Sequence, residues 1–160
     1  MIEHILPHLQ TFIEARITPD GDSERSIVTS LDWADTLTPD SLPCFVNQIT
    51  GITLVSQNNL YVVFNIAVTV RLYYKPIGTD LKIKHQYDLY HYASEFLQAL
   101  VNQPRLYVAG SGDMPAIEKA ASLGAARIPD KIPYPPDDVQ GLQYTGATFI
   151  VNIPIQVVRC

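Results

Sequence analysis

Residues 60–74, LYVVFNIAVTVRLYY, are the stretch on which the fold turns. Leu60, Val62, Phe64, Ile66, Val68, Val70, Leu72 and Tyr74 are apolar. Tyr61, Asn65, Thr69, Arg71 and Tyr73 can face water or a partner, with Val63 and Ala67 between them. Alternation of this kind is the pattern of a β-strand with one buried face. At ~3.3 Å per residue the stretch runs roughly 50 Å, against a usual strand of about 5–6 residues. A compact chain of 160 residues has a radius of gyration of ~15 Å and a body about 40 Å across. The strand must therefore bend, break at a bulge, or project beyond its own domain. A projecting edge would be a template for another subunit.

A second stretch matches the first. In residues 144–158, YTGATFIVNIPIQVV, one face carries Thr145, Ala147, Phe149, Val151, Ile153, Ile155 and Val157. Asn152, Pro154 and Gln156 alternate on the other, with Gly146, Thr148, Ile150 and Val158. Similar length and pattern make it the antiparallel mate of residues 60–74. Pro154 has no amide hydrogen, so an edge or a bulge is expected there. Two amphipathic helices can cover the paired strands. In residues 2–16, Ile2, Ile5, Leu6, Leu9, Phe12 and Ile13 share a face, and Pro7 places the regular helix start only a residue or two before it. In residues 81–101 the inward stripe is Leu89, Ala93, Phe96, Leu97 and Leu100, widened by Tyr90. Tyr87 and Tyr92 lie near its edges, Thr79 or Asp80 is the N-cap, and His85 and His91 read as surface residues.

Residues 43–49 and 52–56 read as short strands, and Asn58-Asn59 turns the chain into the long strand as a hairpin or meander. Lys75–Asp80 ends that strand, with Pro76 and Gly78 as punctuation. Ser26–Thr29 and Arg105–Ala109 are further short strands, and residues 114–124 read as a helix capped by Asp113 and ended near Gly124. Residues 128–142, IPDKIPYPPDDVQGL, form a stiff proline-rich connection without periodicity. The expected fold class is α/β (α+β): a mainly antiparallel sheet with two long strands, packed by an N-terminal and a central helix. Residues 1–160 form a single domain, with 17–58 an acidic loop and hairpin region and 126–142 a Pro-rich loop.

The chain is 47% hydrophobic and only 17% charged, below the ~25% of an average soluble domain. Ser, Thr, Asn, Gln and Tyr fill the gap, which suits a surface that meets protein and equally a β-rich soluble domain. The opening MIEHILPHLQ lacks the basic region and unbroken apolar run of a secretory signal, and no stretch reads as a membrane helix. Cys44 and Cys160 form no metal or redox motif; they read as two reduced cysteines, with a disulfide between them left open. The net charge of −5 is uneven. Ile17–Leu42 holds Asp20, Asp22, Glu24, Asp32, Asp35 and Asp40 against Arg25, and acids and bases balance in the rest. Gripping a nucleic-acid backbone asks for the opposite sign.

Chemistry-bearing motifs are absent. There is no Gly-x-Ser-x-Gly elbow, His-Glu-x-x-His helix or Cys-x-x-Cys pair. His4 and His8 are four apart, opposite the apolar helix face, and lack a third ligand nearby. Asp20-Gly21-Asp22 lacks the spaced oxygens of a calcium loop. Gly110-Ser111-Gly112-Asp113 has the outline of a phosphate turn, but Pro115 holds the third glycine position and Asp113 would repel the anion; a helix-capping turn suffices. Asp137 and Asp138 are adjacent in a loop, which does not make a carboxylate dyad. No enzyme, cofactor or metal site is expected. Trp33, on the acidic loop, is either a partner contact or a cap folded onto the core.

The order of elements resembles that of tailed-bacteriophage tail terminator and related neck or tail-completion proteins. The resemblance lies in the leading helix (IEHILPHLQTFIEARI), the acidic and hairpin region (LDWADTLTPDSLPCFVNQITGITLV), the long strand, the central helix (HQYDLYHYASEFLQALV) and the final strand (ATFIVNIPIQVVR). It is one of layout, covers most of the chain and leaves 102–142 outside. It implies an α/β subunit that assembles with itself into a ring, commonly a hexamer, at the head-proximal end of the tail tube. There it would end tube growth and join tail to head, with tube protein, sheath protein and a neck or connector protein as partners. DNA would pass through without specific binding, no membrane would be involved, and the subunit would join the virion in the host cytoplasm. The family has no catalytic residues to carry over. Another tail or contractile-machine component, such as a sheath-tip or baseplate adaptor, and a small α/β enzyme or ligand-binding domain are the alternatives. An acidic wall would let a genome pass without sticking, so Asp32, Asp35 and Asp40 are expected to face the ring's channel or its mouth. Simple solvation of a surface loop is the competing reading.

Overall fold

The computed structural model describes residues 2–17, 29–31, 37, 42–77, 83–103, 120–129, 131–136, 138 and 140–159. After a 3-10 turn at Ile2–His4 the chain runs α1 (Ile5–Arg16), β1 (Thr29–Leu31), β2 (Cys44–Gln57), β3 (Tyr61–Pro76), α2 (Ile83–Asn102), β4 (Ser122–Arg127), β5 (Ile132–Tyr134) and β6 (Leu142–Val158). The strands make a six-stranded sheet in the order β1-β2-β3-β6-β4, with β5 also on β6. β1 is parallel to β2 and every other pair is antiparallel, so the fold is α+β with a mainly antiparallel sheet.

The two long strands are neighbours, as their patterns require. β3 and β6 pair from Tyr61↔Val158 to Pro76↔Tyr144, broken by one register shift between Tyr73 and Lys75. At that shift the strands draw together so closely that a Cβ on Gly146 would overlap the Leu72 carbonyl oxygen. Only glycine fits there. The register puts Ile66, Val68, Val70 and Leu72 level with Ile153, Val151, Phe149 and Ala147 on one face. All eight are buried, together with Ile5, Leu9, Phe12, Ile13 and Ile17 from the α1 side and Leu89, Tyr92, Ala93, Phe96 and Leu100 of α2. Phe96 is the hinge of this core: its ring centroid lies 4.7 Å from Phe149 and 5.7 Å from Phe45. These are ordinary aromatic packing distances.

Several local expectations need correction. The two short strands at 43–49 and 52–56 are one strand, β2, which absorbs its irregularities as register shifts at Ile49/Gly51 and Leu54/Ser56. Pairing with β3 along its whole length holds it together. Tyr73 does not face water; it is buried on the sheet face opposite the helices. Tyr90 is exposed, and Tyr92 takes the core place expected for it. His8 lies in the buried part of α1 rather than on its outer face. Leu60 is 72% exposed because it stands in the turn, outside the strand. Ser122–Gly124, expected to end a helix, belong to β4: hydrogen bonding to the open edge of β6 overrides the helix preference of an alanine-rich segment. The unperiodic proline-rich connection contains β5, whose Ile132–Tyr134 pair with Leu142–Tyr144. The strand expected at Ser26–Thr29 meets the described residues only at Thr29, in β1, while the strand expected at 105–109 and the turn expected at 110–113 lie outside them.

Other readings stand. α1 begins at Ile5, two residues before Pro7. Asn58 makes the hairpin turn, its Oδ1 accepting the amides of Leu60 and Tyr61 at 2.8 and 2.9 Å. β4 leaves β6 at Asn152, two residues before Pro154, so among the described residues the proline meets no outer strand. Phe149→Ala would open a cavity between α2 and the sheet and is expected to cost about 3–5 kcal/mol. Urea unfolding of the variant checks this; a loss under ~1 kcal/mol would mean that the Phe96–Phe149 contact is not central to the core.

Candidate interaction surface

Two helices of 12 and 20 residues are ~18 and ~30 Å long, and strands of 14, 16 and 17 residues reach roughly 45–55 Å. Among the described residues the helices run out before the sheet does. The buried core ends at Ile66 and Ile153, with Phe64 and Ile155 packed half-buried against its margin. Beyond it the ends of β2, β3 and β6 form a three-stranded arm. Register places Ile52 level with Ile66, and Leu54 with Phe64 and hence Ile155. Val62 and Val157 are likewise paired. The apolar stripe of the core thus continues along the arm without a break, but Ile52 is 54% and Leu54 50% exposed. Val55, at the second register shift of β2, is exposed as well. Contiguous apolar surface of this kind marks a contact site, whereas scattered single residues do not.

The opposite face of the sheet carries polar pairs at and before the root of the arm. There the Thr50 and Thr69 hydroxyls are 2.9 Å apart, Asn65 donates to Asn152 at 3.0 Å, and Arg71 donates to Gln48 at 3.1 Å. At the tip the Arg159 amide donates to the Leu60 carbonyl at 2.8 Å and its guanidinium to Gln57 at 3.2 Å, tying the end of β6 to the β2–β3 turn. Cross-strand polar pairs of this kind hold a sheet in register.

At the opposite end of that face lies a second, smaller core. Tyr73 meets Tyr134 and Tyr144 edge-on at 5.3 and 5.5 Å, and Cys44, Val46 and Ile132 close the cluster. β5 covers it, and the Tyr73 hydroxyl donates to the Pro133 carbonyl at 2.9 Å. Burial pushes the Tyr73 hydroxyl far above the ordinary tyrosine range, offset in part by Arg71. Burial and then Cys44 raise Tyr144 in the same direction. Cys44 is buried and forms no disulfide.

The acidic and aromatic residues singled out in the sequence, Asp32, Asp35, Asp40 and Trp33, all lie outside the described residues, as do Asp20-Gly21-Asp22, Gly110–Asp113 and Asp137. His4 is exposed and His8 buried, so the two do not form an open ligand pair. Among the described residues no three His, Cys, Asp or Glu side chains gather where a metal ion could bind, and no helix is long and apolar enough to cross a membrane. Sequence reasoning allowed for a strand projecting beyond its own domain and did not single out Ile52, Leu54 and Val55. The signal was available in the mismatch between strand and helix lengths. The sequence matches no protein-family model and no curated protein.

The tyrosine cluster yields a pH prediction. A raised folded-state value favours the neutral phenol, so this stabilisation is complete below the unfolded value of about 10 and lost as pH rises past it. Tyr73→Phe is expected to cost about 1 kcal/mol at neutral pH, for its hydrogen bond, and to flatten the loss of stability above about pH 10. Urea titrations across the alkaline range check both; an unchanged alkaline slope would exclude Tyr73 as its source.

Proposed function

We propose that the chain is a structural virion protein, a ring-forming tail terminator or neck subunit that ends a bacteriophage tail tube and joins it to the neck. The arm carries this reading. A sheet that extends its apolar face past its own helices has surface built for a neighbour, and repeated subunits in a closed ring satisfy every such surface at once. The element order also supports it: leading helix, hairpin, long strand, central helix and final long strand occur in the sequence of the family that the chain resembles, here folded as α1, β2–β3, α2 and β6. Neighbouring copies and the tail tube are the partners proposed for the arm, with sheath and neck proteins on the remaining faces. The low charge content fits extended protein contact, since interface cores are depleted of charged residues.

Ile52→Asp combined with Leu54→Asp tests the arm. Both side chains are at least half exposed, so the variant should fold with a stability change within about 1 kcal/mol. It should fail to form rings, in electron micrographs of the purified protein and in tails assembled with it. Rings of normal yield from the folded variant would remove the arm from the interface. The acidic segment makes a separate test. The proposal places Asp32, Asp35 and Asp40 at the DNA path, where replacing all three by Lys would leave tail assembly intact and slow genome delivery in a salt-sensitive way. Unchanged infectivity with tails confirmed by microscopy would put the segment elsewhere.

A further inference from the structure

We infer that neighbouring copies join by strand addition, the outer edge of β4 in one copy pairing antiparallel with the outer edge of β2 in the next. The inference takes from the preceding reading only that copies assemble side by side. β1 covers the outer edge of β2 at Cys44–Val46, and no other described strand pairs there. The edge from Gln48 to Gln57, QITGITLVSQ, contains no Lys, Arg, Asp, Glu or Pro. Charges and proline are the usual devices by which proteins blunt an exposed edge, and β2 carries only its two register shifts. The edge of β6 differs: past the end of β4 it holds Pro154.

The other half of the joint stands on the far side of the same sheet. β4 pairs with β6 on one side only among the described residues, and all six of its residues are exposed. Four of its six residues, Ser122, Gly124, Ala125 and Ala126, are small, and Leu123 and Arg127 are the larger ones, so another backbone can approach along its middle. Direction also fits. β2, β3, β6 and β4 are successively antiparallel, so β4 runs opposite to β2. A second copy set alongside, with its helices on the same side, presents β4 antiparallel to β2. Six residues of β4 fit within the open length of β2. The contact is head-to-tail, which closes into a ring when the rotation allows. Two β2 edges paired about a twofold axis would leave β4 open and stop at a dimer.

Disulfide trapping tests the joint. Ala125 lies level with Ile150, Thr69 and Gln48, on the sheet face opposite the helices. Thr50 reaches Thr69 on that face, and Thr53 and Ser56 pair with Asn65 and Val63 there. Ala125→Cys is combined in turn with Thr50→Cys, Thr53→Cys or Ser56→Cys, in a Cys160→Ser background, and the purified full chain is mildly oxidised. The expected result is a ladder of covalent dimers, trimers and higher species from at least one pair, with each single variant uncross-linked. A disulfide needs Cα atoms about 4.4–6.8 Å apart, so the productive pair also reports the register. Cross-linking of a single β2 cysteine to its own copy would overturn the inference in favour of a twofold contact. Multimers in sedimentation with no productive pair would overturn the strand joint and leave the assembly reading standing. A protein that sediments as a monomer at every concentration would overturn both.

Discussion

The antiparallel ladder between β3 and β6 is the constraint on which the rest depends. It joins residues 61–76 to 144–158 across most of the chain length. It also sets which side chains face the helices. A slip of one residue would turn Ile66, Val68, Val70 and Leu72 away from the core while leaving their partners in it. Register is protected by the apolar face, and by the pinch at Gly146, where the backbones approach too closely for any side chain. Given that register, α1 and α2 have one surface to cover, and the Phe45–Phe96–Phe149 group ties β2 and β6, the two neighbours of β3, to α2.

The same ladder creates the unfilled surface. Strands gain length at more than twice the rate of helices per residue, so a helix must be far longer in sequence than the strand it covers. α2 has 20 residues and β6 has 17, and the sheet outruns its cover. On the opposite face Asn65 and Asn152 tie the strands at the root of the arm, and Arg159 ties its tip. Tyr73, Tyr134 and Tyr144 do similar work at the other end, where β5 folds over a compact apolar cluster. Among the described residues there is therefore one full core, one small one, and an arm whose apolar side chains are exposed.

This geometry bears on the assembly reading. Exposed apolar side chains, an uncharged edge on β2 and an exposed β4 occur together on one sheet. Each alone is common. Their conjunction, with strand directions that allow head-to-tail addition, is what the proposed strand joint draws on.

Much of this was written in local pattern. Alternation in residues 60–74 and 144–158 sufficed to predict two long antiparallel mates. The three- and four-residue spacing in 2–16 and 81–101 predicted the helices that cover them, since periodicity is a property of neighbours in the chain. Non-local facts were hidden. Tyr73 could not be told from a solvent-facing residue until β5 closed over it, and Tyr92 could not be told from Tyr90 until the helix met Tyr74 on the sheet. Ser122–Gly124 reads as the end of a helix and becomes a strand only because β6 offers it an edge. The candidate surface followed the same rule. Ile52 and Leu54 carry the pattern of core residues, and nothing adjacent to them in sequence reveals that the helices stop short. Burial is set by what arrives from elsewhere in the chain, so only the tertiary structure decided which half of an apolar strand was left uncovered.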